Sequence, residues 1–255
     1  MQESAPARIK VFWQPGCTSC LRVKEFLAAQ GIQYESVNVH GNPQGMAELD
    51  ALGARSVPVV ALAGRYTLAQ SLRDVVKFLD LKTKVMDALP PAQLVSKLDI
   101  VLAAAVRFTR QFTEAELKSV FRNRNRTVGA LAFHVFRIAE LGVQASRQIE
   151  LRFEAFDDLP PQAWEGEQIA AWGESMRQTV LQWWEEEQDR SLAYSVPTYY
   201  GARAMHEVLE RTAWHAAQHT RQLMLILQTH GKTPDRPLCE ADLAGLPVPD
   251  EVWDR

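Results

Sequence analysis

Residues 13–20 read WQPGCTSC, and this stretch decides the fold of the first third of the chain. The segment before it, RIKVFWQ at residues 8–14, is short and rich in strand-forming side chains, so it predicts a strand. The segment after it, residues 18–30, carries apolar residues at helical spacing. Cys17 and Cys20 therefore lie where a strand turns into a helix.

The spacing of the two cysteines suits thiol chemistry. A helix N-terminus stabilises a thiolate at Cys17, and Cys20 follows one turn later on the same side. A zinc site would need a second pair of ligands, and the first third of the chain offers only His40. The pattern favours a redox pair, with half of a zinc site or a redox-inert pair as the alternatives.

The rest of this region alternates between strand and helix patterns. Residues 32–39 and 57–64 predict strands, and residues 42–52 and 71–84 predict helices. Together with the first strand and the first helix, these elements form a small sheet covered by helices. We therefore predict an α/β domain at residues 7–84.

Val57 and Pro58 add a second element to the cysteine pair. They stand at the entry of a predicted strand, where a proline does not disturb the sheet. The CxxC pair, this loop and the element order together resemble the glutaredoxin/thioredoxin family, in which a cis-proline loop faces the cysteines. The resemblance implies a thioredoxin-like fold, with Cys17 as the nucleophile and Cys20 as the resolving thiol. It also implies that Trp13, Val57 and Pro58 bind the thiol peptide.

The chain departs from the family pattern at two places. Thr18 and Ser19 stand between the cysteines, where the family has a tyrosine or a proline. The stretch GRYTLAQSL at residues 64–72 lacks the glycine pair and the acid that hold the glutathione carboxylate. The expected cosubstrate is glutathione or a similar thiol, and a protein dithiol or a partner within the chain remains the alternative.

The α/β pattern ends at LPP, residues 89–91. These residues mark a break between elements, because proline disfavours helix in the residue before it. No strand pattern follows this break. Long helical patterns follow instead, at residues 92–111, 127–150, 162–189 and 202–230. We predict an all-α four-helix bundle at residues 90–255, with an irregular C-terminal tail.

Three histidines of this second domain form a candidate metal site. His215 and His219 are four residues apart on the last helix, so they share one face together with Arg211 and Gln222. His134 lies within GALAFHVFRIAEL, where almost every neighbour is apolar, so we expect its imidazole to point inward. Core histidines that bond to neighbours are the alternative interpretation.

These histidines resemble those of the DinB/YfiT-like superfamily. Its members are four-helix bundles with one histidine on the second helix and HxxxH on the fourth. The segment LERTAWHAAQHTRQLM and the tail GKTPDRPLCEADLAGLPVPDEVW are similar to that family. The resemblance implies that His134, His215 and His219 bind a divalent metal, with zinc favoured and nickel, iron or manganese as alternatives. It also implies pairing of bundles into a homodimer.

The net charge and the distribution of apolar residues limit the classes of partner that we expect. The net charge of −3 gives no basic field for nucleic acid. The opening MQESAPARIK lacks the apolar run of an export signal, and no apolar stretch that we identify reaches about 20 residues. We therefore expect a cytoplasmic protein without nucleic-acid or membrane partners.

The two resemblances together predict a thiol-dependent enzyme. A dithiol oxidoreductase domain would be coupled to a metal-binding bundle that activates a low-molecular-weight thiol for transfer or isomerisation. The substrates would be a small thiol and a small electrophile or disulfide. The alternatives are a redox- and metal-responsive sensor, and a simple disulfide reductase with a dimerising bundle.

Overall fold

The structure is a computed structural model that describes residues 8–122 and 126–253. The outermost positions of the two predicted domains, residues 7 and 254–255, lie outside the described residues. The described chain divides into two units, and each has its own core. The first unit holds residues 8–86 and 249–253, and the second holds residues 87–248.

The first unit is a four-stranded mixed sheet with three helices. Its strands are β1 (Lys10–Trp13), β2 (Glu35–Asn38), β3 (Val59–Leu62) and β4 (Arg65–Leu68). Its helices are α1 (Thr18–Ala29), α2 (Pro43–Ala51) and α3 (Leu72–Phe78). The strand order is β2-β1-β3-β4, with β1 parallel to β2 and β3 antiparallel to its neighbours. The predicted thioredoxin-like fold is confirmed.

Alternation along β1 and β3 divides the core of this unit between the two faces of the sheet. Val11 and Val60 pack on one face, in a cluster with residues of α1 and α3. Phe12 and Val59 point to the other face, where they pack in the cluster that contains Cys20. The cysteine pair is thus anchored to the second face of the sheet.

Residues 249–253 belong to the first unit. The Glu25 carboxylate of α1 accepts hydrogen bonds from the backbone N–H groups of Asp250 (2.8 Å) and Glu251 (3.0 Å). The predicted second domain ran to residue 255, whereas residues 249–253 lie with the first unit. The contact with Glu25 is one of the long-range interactions that place them there.

The second unit is built on four long helices. The helices of this unit are α4 (Pro91–Gln111), α5 (Glu114–Lys118), α6 (Val128–Ser146), α7 (Gly166–Glu186), α8 (Met205–Thr229) and α9 (Glu240–Leu243). The helices α4 and α6 each pack against both α7 and α8. The predicted four-helix bundle is confirmed.

Helices α6 and α8, which carry the three histidines, approach each other closely at Gly142. A Cβ added there would lie 2.8 Å from the Thr212 Oγ1 atom. The Thr212 hydroxyl in turn donates to the Val208 carbonyl at 2.8 Å, so this side chain is fixed. Glycine at this position lets the two helices come together.

Helix α6 is long and apolar enough to cross a membrane, yet 83% of its apolar window is buried inside the protein. Such burial is also the pattern of a core helix in a bundle. Its N-terminus is capped by Thr127, whose hydroxyl accepts from the Ala130 N–H at 3.2 Å.

The bundle also contains a small strand pair that the sequence analysis did not predict. Strand β5 (Ser195–Val196) pairs antiparallel with β6 (Arg203–Ala204) in the connection before α8. Each strand has only two residues, so no alternating pattern precedes it in the sequence. The expectation of no strand beyond residue 89 was therefore wrong at this connection.

Candidate dithiol and histidine sites

Cys17 and Cys20 form a disulfide at the start of α1, with their Cα atoms 5.2 Å apart. Cys17 is the N-cap residue, and its Sγ atom accepts a hydrogen bond from the Cys20 N–H at 3.2 Å. Cys20 is fully buried, while Cys17 is half-buried. Only the first sulfur is therefore accessible to a partner thiol, and the helix N-terminus favours its thiolate.

The structure brings the predicted docking residues next to this disulfide. The Val57–Pro58 peptide bond is cis. Val57 belongs to the core cluster that contains Cys20, and Trp13 and Cys17 pack against that cluster. All five residues predicted for the dithiol site thus lie in one neighbourhood of the first unit.

Two interactions hold the indole of Trp13. Its Nε1 donates to the Ser36 Oγ atom at 2.8 Å. The Lys24 ammonium lies 3.7 Å from the centroid of the indole ring, close enough for a cation–π interaction. The ring orientation beside the cysteines is therefore set by neighbours from β2 and α1.

The three predicted histidines come together in the bundle. His134 on α6 and His215 and His219 on α8 are each at most 7% exposed. One ring nitrogen from each histidine lies within 4.8 Å of the others. The Nε2 atoms of His215 and His219 are 3.1 Å apart.

The side chain of Gln222 orients one of these imidazoles. Its Oε1 atom lies 2.8 Å from the Nδ1 atom of His219. An amide oxygen only accepts, so Nδ1 carries the proton and Nε2 keeps its lone pair toward His215. This is how protein metal sites fix the tautomer of a ligating histidine. The donor set and its spacing therefore fit a divalent cation held by three neutral nitrogens.

The aromatic ring of Phe156 closes the histidine cluster on one side. The Phe156 ring centroid lies 6.1 Å from that of His134 and 5.8 Å from that of His215. Phe156 lies in a 3₁₀ turn (Glu154–Asp157) whose backbone accepts hydrogen bonds from two arginines. Arg126 donates to the Phe156 carbonyl at 3.2 Å, and Arg137 donates to the Ala155 carbonyl at 3.3 Å. The cluster thus has an apolar wall fixed by polar contacts.

Arg211 lies one turn before His215 on α8 and is itself buried. Its guanidinium donates to the Tyr199 hydroxyl at 3.1 Å. Burial raises the pKa of Tyr199 to about 12, although the charge of Arg211 acts in the opposite direction. The phenol therefore stays neutral near pH 7.

Comparison with known families addresses the first unit directly. A family model described as Glutaredoxin matches residues 9–67. This unit carries a glutaredoxin domain. The match includes the cysteine pair and the cis-proline loop, so the resemblance predicted from the sequence is confirmed there.

Two curated relatives each match about a fifth of this chain. Both are described as Gene 56 protein. The relative from Mycobacterium phage D29 is 38% identical over 53 residues, which is 20% of this chain and 59% of the relative. The relative from Mycobacterium phage L5 is 42% identical over 55 residues, or 21% of this chain and 53% of the relative. The chain thus spans just over half the length of these relatives.

Solved structures give more distant likenesses. YfiT from Bacillus subtilis, described as a probable metal-dependent hydrolase with an unusual four-helix bundle topology, is 12% identical, with a TM-score of 0.45. It covers 60% of this chain and 96% of its own. A glutathione S-transferase from Methylobacillus flagellatus KT with GSH bound is 13% identical, with a TM-score of 0.34 over 87% of this chain and 85% of its own.

One contact in the first unit could not be predicted from the sequence. The buried side chain of Gln70 donates from Nε2 to the Val57 carbonyl at 3.1 Å. The stretch GRYTLAQSL lacks the family's glycine pair and acid, and Gln70 from this stretch now anchors the docking loop. The stretch carries no sequence signal for this contact, because the burial of Gln70 is a property of the folded chain.

Proposed function

We propose that this protein is a thiol-dependent enzyme. Its glutaredoxin domain exchanges disulfides, and its bundle uses a histidine-held divalent metal to activate a low-molecular-weight thiol of the glutathione type for transfer or isomerisation. The observation that supports this most directly is a buried cluster of three imidazole nitrogens in the same chain as a glutaredoxin dithiol. The substrates would be a small electrophile or disulfide in a reducing compartment such as the cytoplasm.

The exchange begins from the reduced dithiol. The Cys17 thiolate attacks one sulfur of the substrate disulfide, so a mixed disulfide forms and the other substrate sulfur leaves as a thiolate. The Cys20 thiolate then attacks the Cys17 sulfur, which closes the intramolecular disulfide and releases the second substrate thiol. An external thiol of the glutathione type supplies the two electrons that restore the dithiol.

In the bundle, His134, His215 and His219 would hold the metal. A bound divalent ion supplies Lewis acidity that lowers the pKa of a bound thiol. Gln222 keeps the proton of His219 on Nδ1, so that Nε2 remains a donor. Phe156 shields this cluster from water, which strengthens electrostatic interactions inside it.

Consumption of glutathione with a panel of small electrophiles and disulfides tests this function. The wild type is compared with Cys17→Ser and with His219→Ala. We expect the first variant to lose disulfide turnover and the second to lose turnover of electrophiles. If neither substitution changes any turnover, the proposal is wrong.

One observation favours a simpler second candidate, a disulfide reductase whose bundle has no part in the chemistry. The dithiol, the cis-proline loop and Trp13 all lie in the first unit. Under this candidate, His219→Ala retains every activity of the wild type.

A further inference from the structure

Gln70 is a buried polar residue of the first unit, and the exchange steps described above do not use it. It is 5% exposed, and its Nε2 atom donates to the Val57 carbonyl at 3.1 Å. A buried amide is costly to remove from water unless it is hydrogen-bonded. The bond to Val57 offsets part of this cost, and it fixes the direction of the Val57 carbonyl.

This bond continues the pairing of β3 with β4 beyond the ends of the two strands. One position past their antiparallel ladder, the Ala69 N–H donates to the Pro58 carbonyl at 2.9 Å. One position further, the Val57 carbonyl accepts from the side chain of Gln70. Both carbonyls of the Val57–Pro58 loop are thus held by consecutive residues that follow β4.

Val57 connects the Gln70 bond to the cysteine pair. The Val57 side chain is 5% exposed and belongs to the apolar cluster that contains the fully buried Cys20. Cys17 packs against the same cluster from its half-buried position. Val57 is therefore one of the packed side chains that fix the position of Cys20.

The closing step of disulfide exchange depends most on this packing. In the mixed disulfide, the Cys20 thiolate attacks the Cys17 sulfur, so the two sulfurs must lie close together and in line. Cys17 meets its first target, an external disulfide, from a half-buried position. Cys20 is fully buried, so its target is the neighbouring cysteine. A shift of Val57 therefore affects the second step more than the first.

We propose that Gln70 is a positioning residue for the closing step, in which Cys20 attacks the Cys17 sulfur. Its amide holds Val57 in place, and Val57 holds Cys20 within reach of Cys17. This inference rests on the exchange step of the proposed function. It adds to that step a residue that lies outside both the CxxC motif and the proline loop.

Reaction of the reduced full-length protein with an equimolar amount of the chromogenic disulfide dithiobis(nitrobenzoate) separates the two steps. All proteins carry Cys239→Ser, because Cys239 is an exposed free cysteine that would react with the reagent. First, the Cys17 thiolate attacks one reagent sulfur, a mixed disulfide forms and one thionitrobenzoate leaves. The Cys20 thiolate then attacks the Cys17 sulfur, the intramolecular disulfide closes and the second thionitrobenzoate leaves. Stopped-flow absorbance gives one phase for each step.

Variants assign the second phase to the Gln70 bond. Gln70→Met keeps the length of the side chain without the donor, so we expect a second phase at least about fivefold slower and a first phase within about twofold of the parent protein. Val57→Ala shortens the side chain that packs with Cys20 and should slow the same phase. Gln44→Met, at an exposed position of α2, is the control and should match the parent in both phases. Circular dichroism checks folding, and if Gln70→Met does not fold, Val57→Ala decides.

Two results would overturn this role of Gln70: an unchanged second phase in the folded variants, or equal slowing of both phases. Cys20→Ser adds a further check, because it releases only the first thionitrobenzoate. Adding Gln70→Met to it should leave that release unchanged, and a slower release would also contradict the role. Failure of the proposed function looks different. In that case glutathione and electrophiles are not turned over, while both phases with the chromogenic disulfide remain as described.

Discussion

The dithiol of the glutaredoxin domain and the histidine cluster of the bundle differ in how their residues are brought together. Cys17 and Cys20 are three positions apart and share one helix start. His134 lies on α6, whereas His215 and His219 lie on α8. The first site is set by one turn of backbone, and the second depends on the packing of two helices.

This difference has a consequence for how each site fails. A change within the bundle that separates α6 from α8 disperses the three imidazoles but leaves the cysteine pair in one helical turn. The polar contacts that orient the side chains are local in both sites, because Gln222 lies three residues after His219 on α8. Cys17 accepts from the N–H of Cys20, while the histidines also need Gly142 to let the helices approach.

The largest expected effect belongs to Cys17→Ser. A hydroxyl cannot replace the thiolate as nucleophile, so we expect disulfide turnover to fall by at least about a thousandfold. Metal binding by the bundle should be unchanged, which a parallel zinc titration measures. Loss of zinc binding in this variant would mean that the cysteines, rather than the histidines, hold the metal.

The next effect is on metal affinity. Gln222→Ala removes the acceptor that keeps the proton on Nδ1 of His219. We expect zinc affinity to fall by about 10- to 100-fold, as for other partners that orient a ligating histidine. Competition with a chromophoric chelator gives the affinity. Gln178→Ala, at an exposed position of α7, serves as the control and should retain the wild-type affinity.

Gly142→Val tests the dependence on helix packing. The new side chain meets Thr212, so we expect the bundle to lose about 1–3 kcal/mol of stability and zinc affinity to fall, with dithiol turnover unchanged. Urea unfolding and the zinc titration measure the two effects. Adding Thr212→Ala should restore part of both losses. Equal loss of dithiol turnover would contradict the independence of the two sites.

The smallest expected effect is on the stability of the bundle at acidic pH. Burial raises the pKa of Glu116, but hydrogen bonds from Lys232, from the Thr113 backbone and from His230 outweigh it and hold the pKa at about 2. The pKa of this carboxyl group is near 4.5 in the unfolded chain and lower in the fold, so the ionised carboxylate stabilises the fold at pH values above about 4.5. This stabilisation disappears as the pH falls toward 2.

We therefore expect Glu116→Gln to be less stable than the wild type by about 1 kcal/mol at pH 7. The difference should shrink between pH 4.5 and pH 2. Urea unfolding followed by circular dichroism at several pH values measures it. A difference that is constant across this range would show that the carboxylate charge has no part in it.

The same contrast explains what the sequence could predict. The dithiol and its cis-proline loop follow from short motifs and the order of elements, and His134 is marked by its apolar neighbours. The contact of Gln70 with the Val57 carbonyl joins segments that no periodicity relates. The two-residue strands β5 and β6 are too short to show alternation. Residues 249–253 return to the first unit through contacts with segments far away in the chain, such as the Glu25 carboxylate, which no local pattern reveals.

Metal analysis of the full-length protein after loading with zinc tests the central claim most directly. The account predicts one zinc ion per chain in the wild type and in Cys17→Ser, and its loss in His134→Ala. A wild type that retains no zinc would contradict it, as would a His134→Ala variant that keeps the ion while Cys17→Ser loses it.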